Sequence, residues 1–261
     1  RYLLEDWKCL PPHLTSLNVA SNFTVEWALA VFKPTSDSVE DTYAPRALDT
    51  LLHLHFGAVT KFEIEALALL PRGLLTFNAV HHGSSSKRQE EGALERNRQL
   101  WSLLPPSLEN VSIGRLRVPF SQCALLPRNI KTFQFDRYSF MEPNQPETTL
   151  ISRSSFVDDL RDLPALTSLV ILHPFLVNAP MVPCLPKTLT RAIFELAPDG
   201  ISETCAALKP LPWLNTLHLN LSEGEFPAEA LHALPSTIRN LTCQATLSIV
   251  KADLTLPWTR A

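Results

Sequence analysis

The sequence predicts an α/β solenoid: a curved stack of short units, each a strand, a loop and a short helix or turn. The strands pair into one parallel sheet on the concave side, and the helical pieces lie on the convex side. Three observations predict it. Leu-Pro recurs nine times, one spacing of apolar residues follows most copies, and a short helix-like segment precedes many of them.

The dipeptides are Leu10-Pro11, Leu70-Pro71, Leu104-Pro105, Leu126-Pro127, Leu163-Pro164, Leu185-Pro186, Leu211-Pro212, Leu234-Pro235 and Leu256-Pro257. Ala44-Pro45 is expected to fill the one large gap. Intervals between successive prolines are then 34, 26, 34, 22, 37, 22, 26, 23 and 22 residues. Periods in the twenties, with longer units mixed in, mark a repeat array. Among 261 residues there are 22 prolines and only 7 glycines. The chain is 45% hydrophobic, too apolar for a Pro-rich disordered segment. Its few glycines exclude an architecture built on Gly-rich phosphate loops.

Within a unit, the stretch after Pro reads P-x-x-L-x-x-L-x-L, as in LPPHLTSLNV, LPRGLLTFNA, LPPSLENVSI, LPRNIKTFQF and LPSTIRNLTC. LPALTSLVI and LPWLNTLHL are one residue shorter before the first Leu. L-x-L alternates with period two, the pattern of a strand with one buried face. The segments IEALALLP, RNRQLWSLLP, VDDLRDLP, SETCAALKPLP and AEALHALP supply the short helices, and proline ends each one and turns the chain. Stacked units bury the leucines between neighbours. Leu169→Ala or Leu217→Ala is therefore expected to be costly, and Ser168→Ala or Thr216→Ala nearly neutral.

This pattern resembles the leucine-rich-repeat family in its proline-led form, and the resemblance runs from Leu10 to Pro257. It implies one solenoid over 1–261, with about nine repeats and a partial tenth at Leu256-Pro257. The Asn often found after the strand in that family is not regularly present. Three units are longer, through insertions at 22–43, 81–98 and 137–156. The chain begins at Arg1 without Met or an apolar leader, which reads as a fragment or a processed form. Its uncapped last unit predicts further chain or a partner over that end.

Residues between the inward leucines are expected on the concave surface. They are Ser16, Asn18, Ala20; Thr50, Leu52; Thr76, Asn78, Val80; Asn110, Ser112, Gly114; Thr132, Gln134, Asp136. The later units add Ser168, Val170, Leu172; Arg191, Ile193, Glu195; Thr216, His218, Asn220; and Asn240, Thr242, Gln244. Only Asp136, Arg191 and Glu195 are charged. The three insertions follow their strands and are expected along one edge, a common place for partners. They carry Trp27 and Phe32 in the first and Tyr138, Phe140 and Met141 in the third. The candidate partner-binding residues are thus Trp27, Phe32, Asn78, Gln134, Tyr138, Phe140, Met141, Arg191, Glu195 and His218.

Net charge is −3 and the isoelectric point about 6.3, which disfavours nucleic acid. No apolar run reaches the ~20 residues a membrane helix needs. Five cysteines lie at least 21 residues apart, so there is no CxxC motif, and they read as small buried hydrophobes. His53, His55, His81 and His82 are the only histidine cluster, with no Cys or carboxylate at ligand spacing, so no metal or cofactor is expected. GxSxG, P-loop, HExxH and GxGxxG motifs are absent. Asp158, Asp159 and Asp162 suit a helix dipole rather than catalysis. Four N-glycosylation sequons begin at Asn22, Asn110, Asn220 and Asn240. The expectation is an intracellular, non-catalytic protein-interaction module, as a scaffold subunit or adaptor recognition domain. An extracellular receptor or adhesin at the cell surface is the alternative the sequons favour, and an enzyme on a repeat scaffold is the third.

Overall fold

The computed structural model describes residues 10–11, 13–19, 22–32, 48, 50–59, 63–81, 100–114, 125–136, 160–172, 177–221 and 224–245. Nine strands form one sheet in chain order: β1 (Ser16–Val19), β2 (His53–Val59), β3 (Thr76–His81), β4 (Asn110–Gly114), β5 (Thr132–Asp136), β6 (Ser168–Leu172), β7 (Arg191–Leu196), β8 (Thr216–Leu221) and β9 (Asn240–Ala245). Every neighbouring pair is parallel. This is the leucine-rich-repeat solenoid. The final Leu256-Pro257 lies outside the described residues.

The period-two pattern sets the register. Leu17, Leu54, Phe77, Val111, Phe133, Leu169, Ala192, Leu217 and Leu241 form one inward row across all nine strands. A second inward row holds Val19, Phe56, Ala79, Ile113, Ile171, Phe194, Leu219 and Cys243. Volume is shared within a strand: Ala79 follows Phe77, and Ala192 precedes Phe194, all fully buried. Close packing requires such pairing of small and large residues. β2 carries one irregularity between Phe56 and Ala58, at Gly57.

The turn before each strand is closed by an N–H···O bond across three residues. The acceptor is a Pro carbonyl in six units: Pro11, Pro71, Pro105, Pro127, Pro186 and Pro235. In the two shorter units the acceptors are Leu163 and Leu211, and the proline moves one place along. In the second unit the acceptor is Leu48, bonded to Leu51 N–H at 3.0 Å. That corrects the expected role of Pro45, three residues upstream and outside the described residues. It also corrects the register there. Thr50 and Leu52 do not face outward from a strand. Thr50 lies in the turn, Leu52 precedes β2, and His53 and His55 take the outward positions. No proline sits at that turn to mark its place, so counting from Pro45 lands three residues early.

Two lateral ladders join the units. At each strand entry one carbonyl accepts two successive N–H groups from the next unit, as Thr190 O does from Asn215 and Thr216 at 2.9 and 3.1 Å. In the turns, the hydroxyls of Thr50, Ser107, Thr188 and Thr237 donate to the carbonyls of Leu14, Leu74, Leu166 and Leu214 in the preceding unit, at 3.1, 2.7, 2.5 and 2.8 Å. Asn129 reaches Pro106 O from the same turn position. The motif P-x-(Ser/Thr)-(Leu/Ile) in the sequence is the signal for this ladder.

Among the described residues the helical pieces run from three to eight residues. They comprise Val25–Phe32, a 3₁₀ piece at Ile64–Leu69, Leu100–Leu103, a 3₁₀ turn at Val182–Cys184, Ile201–Ala207 and Ala228–His232. The first corrects the expectation for the part of the 22–43 insertion that is described, 22–32, while 33–43 lie outside the described residues. Thr24 Oγ1 accepts the Trp27 N–H at 3.1 Å, and Glu63 Oε2 from the next unit accepts the Val25 N–H at 2.7 Å. These bonds cap the helix. Trp27, Ala28 and Val31 are buried. The insertion beyond His81 and all of 137–156 lie outside the described residues.

Candidate functional site

The sheet face opposite the core carries rows of outward side chains, one position per unit. The first row is Ser16, His53, Thr76, Asn110, Thr132, Ser168, Arg191, Thr216 and Asn240. It is partly tied by side-chain hydrogen bonds. His53 Nδ1 lies 3.0 Å from Thr76 Oγ1, and Asn110 Nδ2–H donates to the same oxygen at 3.3 Å. Asn240 Nδ2–H reaches Thr216 Oγ1 at 3.5 Å.

The second row is Asn18, His55, Asn78, Ser112, Gln134, Val170, Ile193, His218 and Thr242. Its inner members are half-buried or buried, because side chains of neighbouring strands crowd one another across the sheet. Val170 is only 8% exposed although it points away from the core, and Ile193 of the adjacent strand stands beside it. Asn78 Oδ1 is buried and finds no hydrogen-bond partner among the described residues. An unpaired buried carbonyl oxygen costs about 1–3 kcal/mol.

The expected site residues separate into three groups. Asn78, Gln134 and His218 lie in the second row and Arg191 in the first, exposed between Ser168 and Thr216. Glu195 is half-buried in a third row, level with Asn220 and Gln244. Trp27 is a correction. It is 4% exposed and packs edge-on against Phe56 at 4.9 Å and at a tilt near Phe23 at 6.0 Å. Phe32 is half-buried, T-shaped on Trp27 at 5.5 Å. These rings belong to one aromatic cluster with Phe77, so they build the core rather than an anchor for a partner. Tyr138, Phe140 and Met141 lie outside the described residues.

The four sequon asparagines are among the described residues. Asn110 and Asn240 are in the first outward row, Asn220 is in the third, and Asn22 precedes the Val25–Phe32 helix. Cys184, Cys205 and Cys243 are free thiols. Burial, with a smaller contribution from Cys243, pushes the Cys205 thiol up to about 12, and burial pushes Cys243 up to about 11. Thiols so poor in thiolate are weak nucleophiles. Among the described residues no helix is long and apolar enough to cross a membrane.

One exposed aromatic escaped the sequence reading. Trp213 is 67% exposed. It occupies the turn position that holds Thr50, Ser107, Thr188 and Thr237 in other units, where a hydroxyl binds the preceding repeat.

No family model and no curated protein sequence matches the chain. Several solved structures match, and two of them are leucine-rich-repeat proteins. A leucine-rich repeat-containing protein, LegL7 from Legionella pneumophila, is 17% identical, with a TM-score of 0.44, covering 93% of this chain and 87% of that one. CroV588, described as a novel circular LRR protein structure, is 14% identical, with a TM-score of 0.32, covering 75% of this chain and 31% of that one. Both likenesses are loose. The nine-unit repeat, the strand order and the register carry the leucine-rich-repeat architecture by themselves.

Proposed function

We propose that the chain is a non-catalytic protein-interaction module, a scaffold subunit or an adaptor's recognition domain, acting as one solenoid over 1–261. The observation that supports it best is the second outward row. Small uncharged donors and acceptors line up at one position per strand, with an apolar step at Val170 and Ile193 and an unpaired acceptor on Asn78. Such a face suits broad contact through hydrogen bonds. Its scarcity of Lys and Arg does not suit nucleic acid.

The test is affinity capture on the wild-type chain and on N78R and Q134R, followed by mass spectrometry. A protein retained by wild type and lost from both variants is the expected result. Retention by all three would remove the binding role from this face. Failure to retain any protein would overturn the module reading.

An intracellular location is proposed with it. Asn110 and Asn240 use their amides within the first row, where glycans would cover the face. The four sequons favour the extracellular alternative. A mass shift on glycosidase treatment of the natural protein would decide for the alternative.

A further inference from the structure

The charged residues are sorted by edge. After each strand the chain starts its return at the strand C-terminal edge and comes back through the turn to the N-terminal edge. Glu26, Glu65, Glu203 and Glu229 occupy first helical turns at the former edge. Acidic groups are stabilised there by the helix dipole. No Lys or Arg among the described residues stands on that edge. The turn edge is the reverse, with exposed Arg72, Arg128, Lys131, Lys187, Lys209 and Arg239. Its acids are fewer: Glu109, which is bonded to Lys131 at 2.8 Å, and Asp162 beside Arg161.

Trp213 stands in the basic edge. Lys187 is in the turn of the preceding unit, Lys209 just before the Trp213 turn, and Arg239 at the strand entry of the following unit. Paired strands are about 4.8 Å apart, so three successive units bring these residues within roughly 10 Å along the stack. The Leu214 N–H to Leu211 O bond closes the turn at 3.4 Å, with Pro212 inside it to stiffen the backbone. A Trp left 67% exposed in a stiffened turn and flanked by cations has the composition of an interface hot spot.

We propose that this edge, centred on Trp213, binds an acidic peptide segment of a partner protein and takes one apolar side chain of it against the indole. The charges of Lys187, Lys209 and Arg239 select the acidic segment and speed its arrival, and Trp213 supplies the anchor. The inference rests on the interaction reading above but uses a different surface.

The test uses fluorescence anisotropy with a labelled twelve-residue Gly/Ser peptide bearing six Glu and one central Phe. Wild type should bind it, and more weakly as salt rises. W213A should weaken binding at least tenfold, as should K187E/R239E and replacement of the peptide Phe by Ser. E203K/E229K, on the opposite edge, should leave it unchanged. Circular dichroism melts should place W213A with wild type, so that lost binding is not lost fold. Absence of binding to wild type, unchanged binding by W213A, or tighter binding of a twelve-residue oligodeoxythymidylate would each overturn the proposal. The capture experiment separates the two readings: a partner lost from N78R and Q134R but retained by W213A belongs to the open face, and peptide anisotropy then decides the edge site by itself.

Discussion

Leu217→Ala tests the packing argument most directly. Leu217 is fully buried in the first inward row, between Ala192 on β7 and Leu241 on β9. The substitution removes three carbons, about 2.4 kcal/mol of transfer energy at ~0.8 per buried methylene. A void adds to this wherever neighbours cannot close in. Here one neighbour is already alanine, and the strand ladders on both sides hold the backbone in place. The expected cost is about 4 kcal/mol, in the upper part of the usual range for Leu→Ala. Thr216→Ala, one residue away on the open face, removes a hydroxyl bonded to Asn215 Oδ1 at an exposed position and should cost about half a kcal/mol or less. Urea titrations followed by circular dichroism measure both, and equal slopes keep the comparison valid. Equal costs for the two, or less than about 1 kcal/mol for Leu217→Ala, would refute the register and the packing derived from it.

The two tryptophans should behave oppositely: Trp27→Ala should cost about 3–5 kcal/mol, and Trp213→Ala less than about 0.5, as thermal melts would show. Thr188→Val removes the hydroxyl that donates to Leu166 O and should cost about 1 kcal/mol in the same titrations, against near zero for Thr190→Val at its exposed site. Cys205 and Cys243 should resist alkylation at pH 8 until the chain unfolds, and rapid labelling in native buffer would contradict their burial. Their raised values also fix a pH trend. The folded state holds these thiols neutral up to about 11 and 12, whereas unfolded thiols ionise near 9.0. Their contribution is complete below pH 9 and is lost as pH rises through 9 to 12. Chemical midpoints should therefore fall over that window, and less so in C205A/C243A.

The open-face proposal and the edge proposal differ in the chemistry they ask of a partner. The second outward row offers half-buried amides, hydroxyls and imidazoles, and therefore rewards a partner whose donors and acceptors match in place. The edge offers point charges and one large ring. Because the two surfaces are set by different parts of the unit, one chain has room for both. Substitutions at Gln134 and at Trp213 should act independently, since they sit on different surfaces with no shared contacts.

Local sequence determined most of the solenoid. In a unit such as LPRNIKTFQF, the turn proline, the buried Ile130 and the alternation Phe133–Gln134 fix inside and outside with no reference to the rest of the chain. That works because a turn of fixed length feeds a strand of period two. It fails where the second unit replaces the turn proline with Leu48, leaving no local mark for the turn. The hydroxyl ladder was also written in the sequence, at Thr188 and Thr237, but its purpose depends on a carbonyl in the preceding repeat. Only the tertiary structure decided which aromatics are core and which are surface. Trp27 sits in an insertion that reads as exposed, yet Phe23, Phe56 and Phe77 and the capping carboxylate of Glu63 draw its helix into the stack. Trp213 sits in a core-like repeat, yet at its turn position it stays 67% exposed. Burial is a property of contacts between units, and no single unit's sequence contains it.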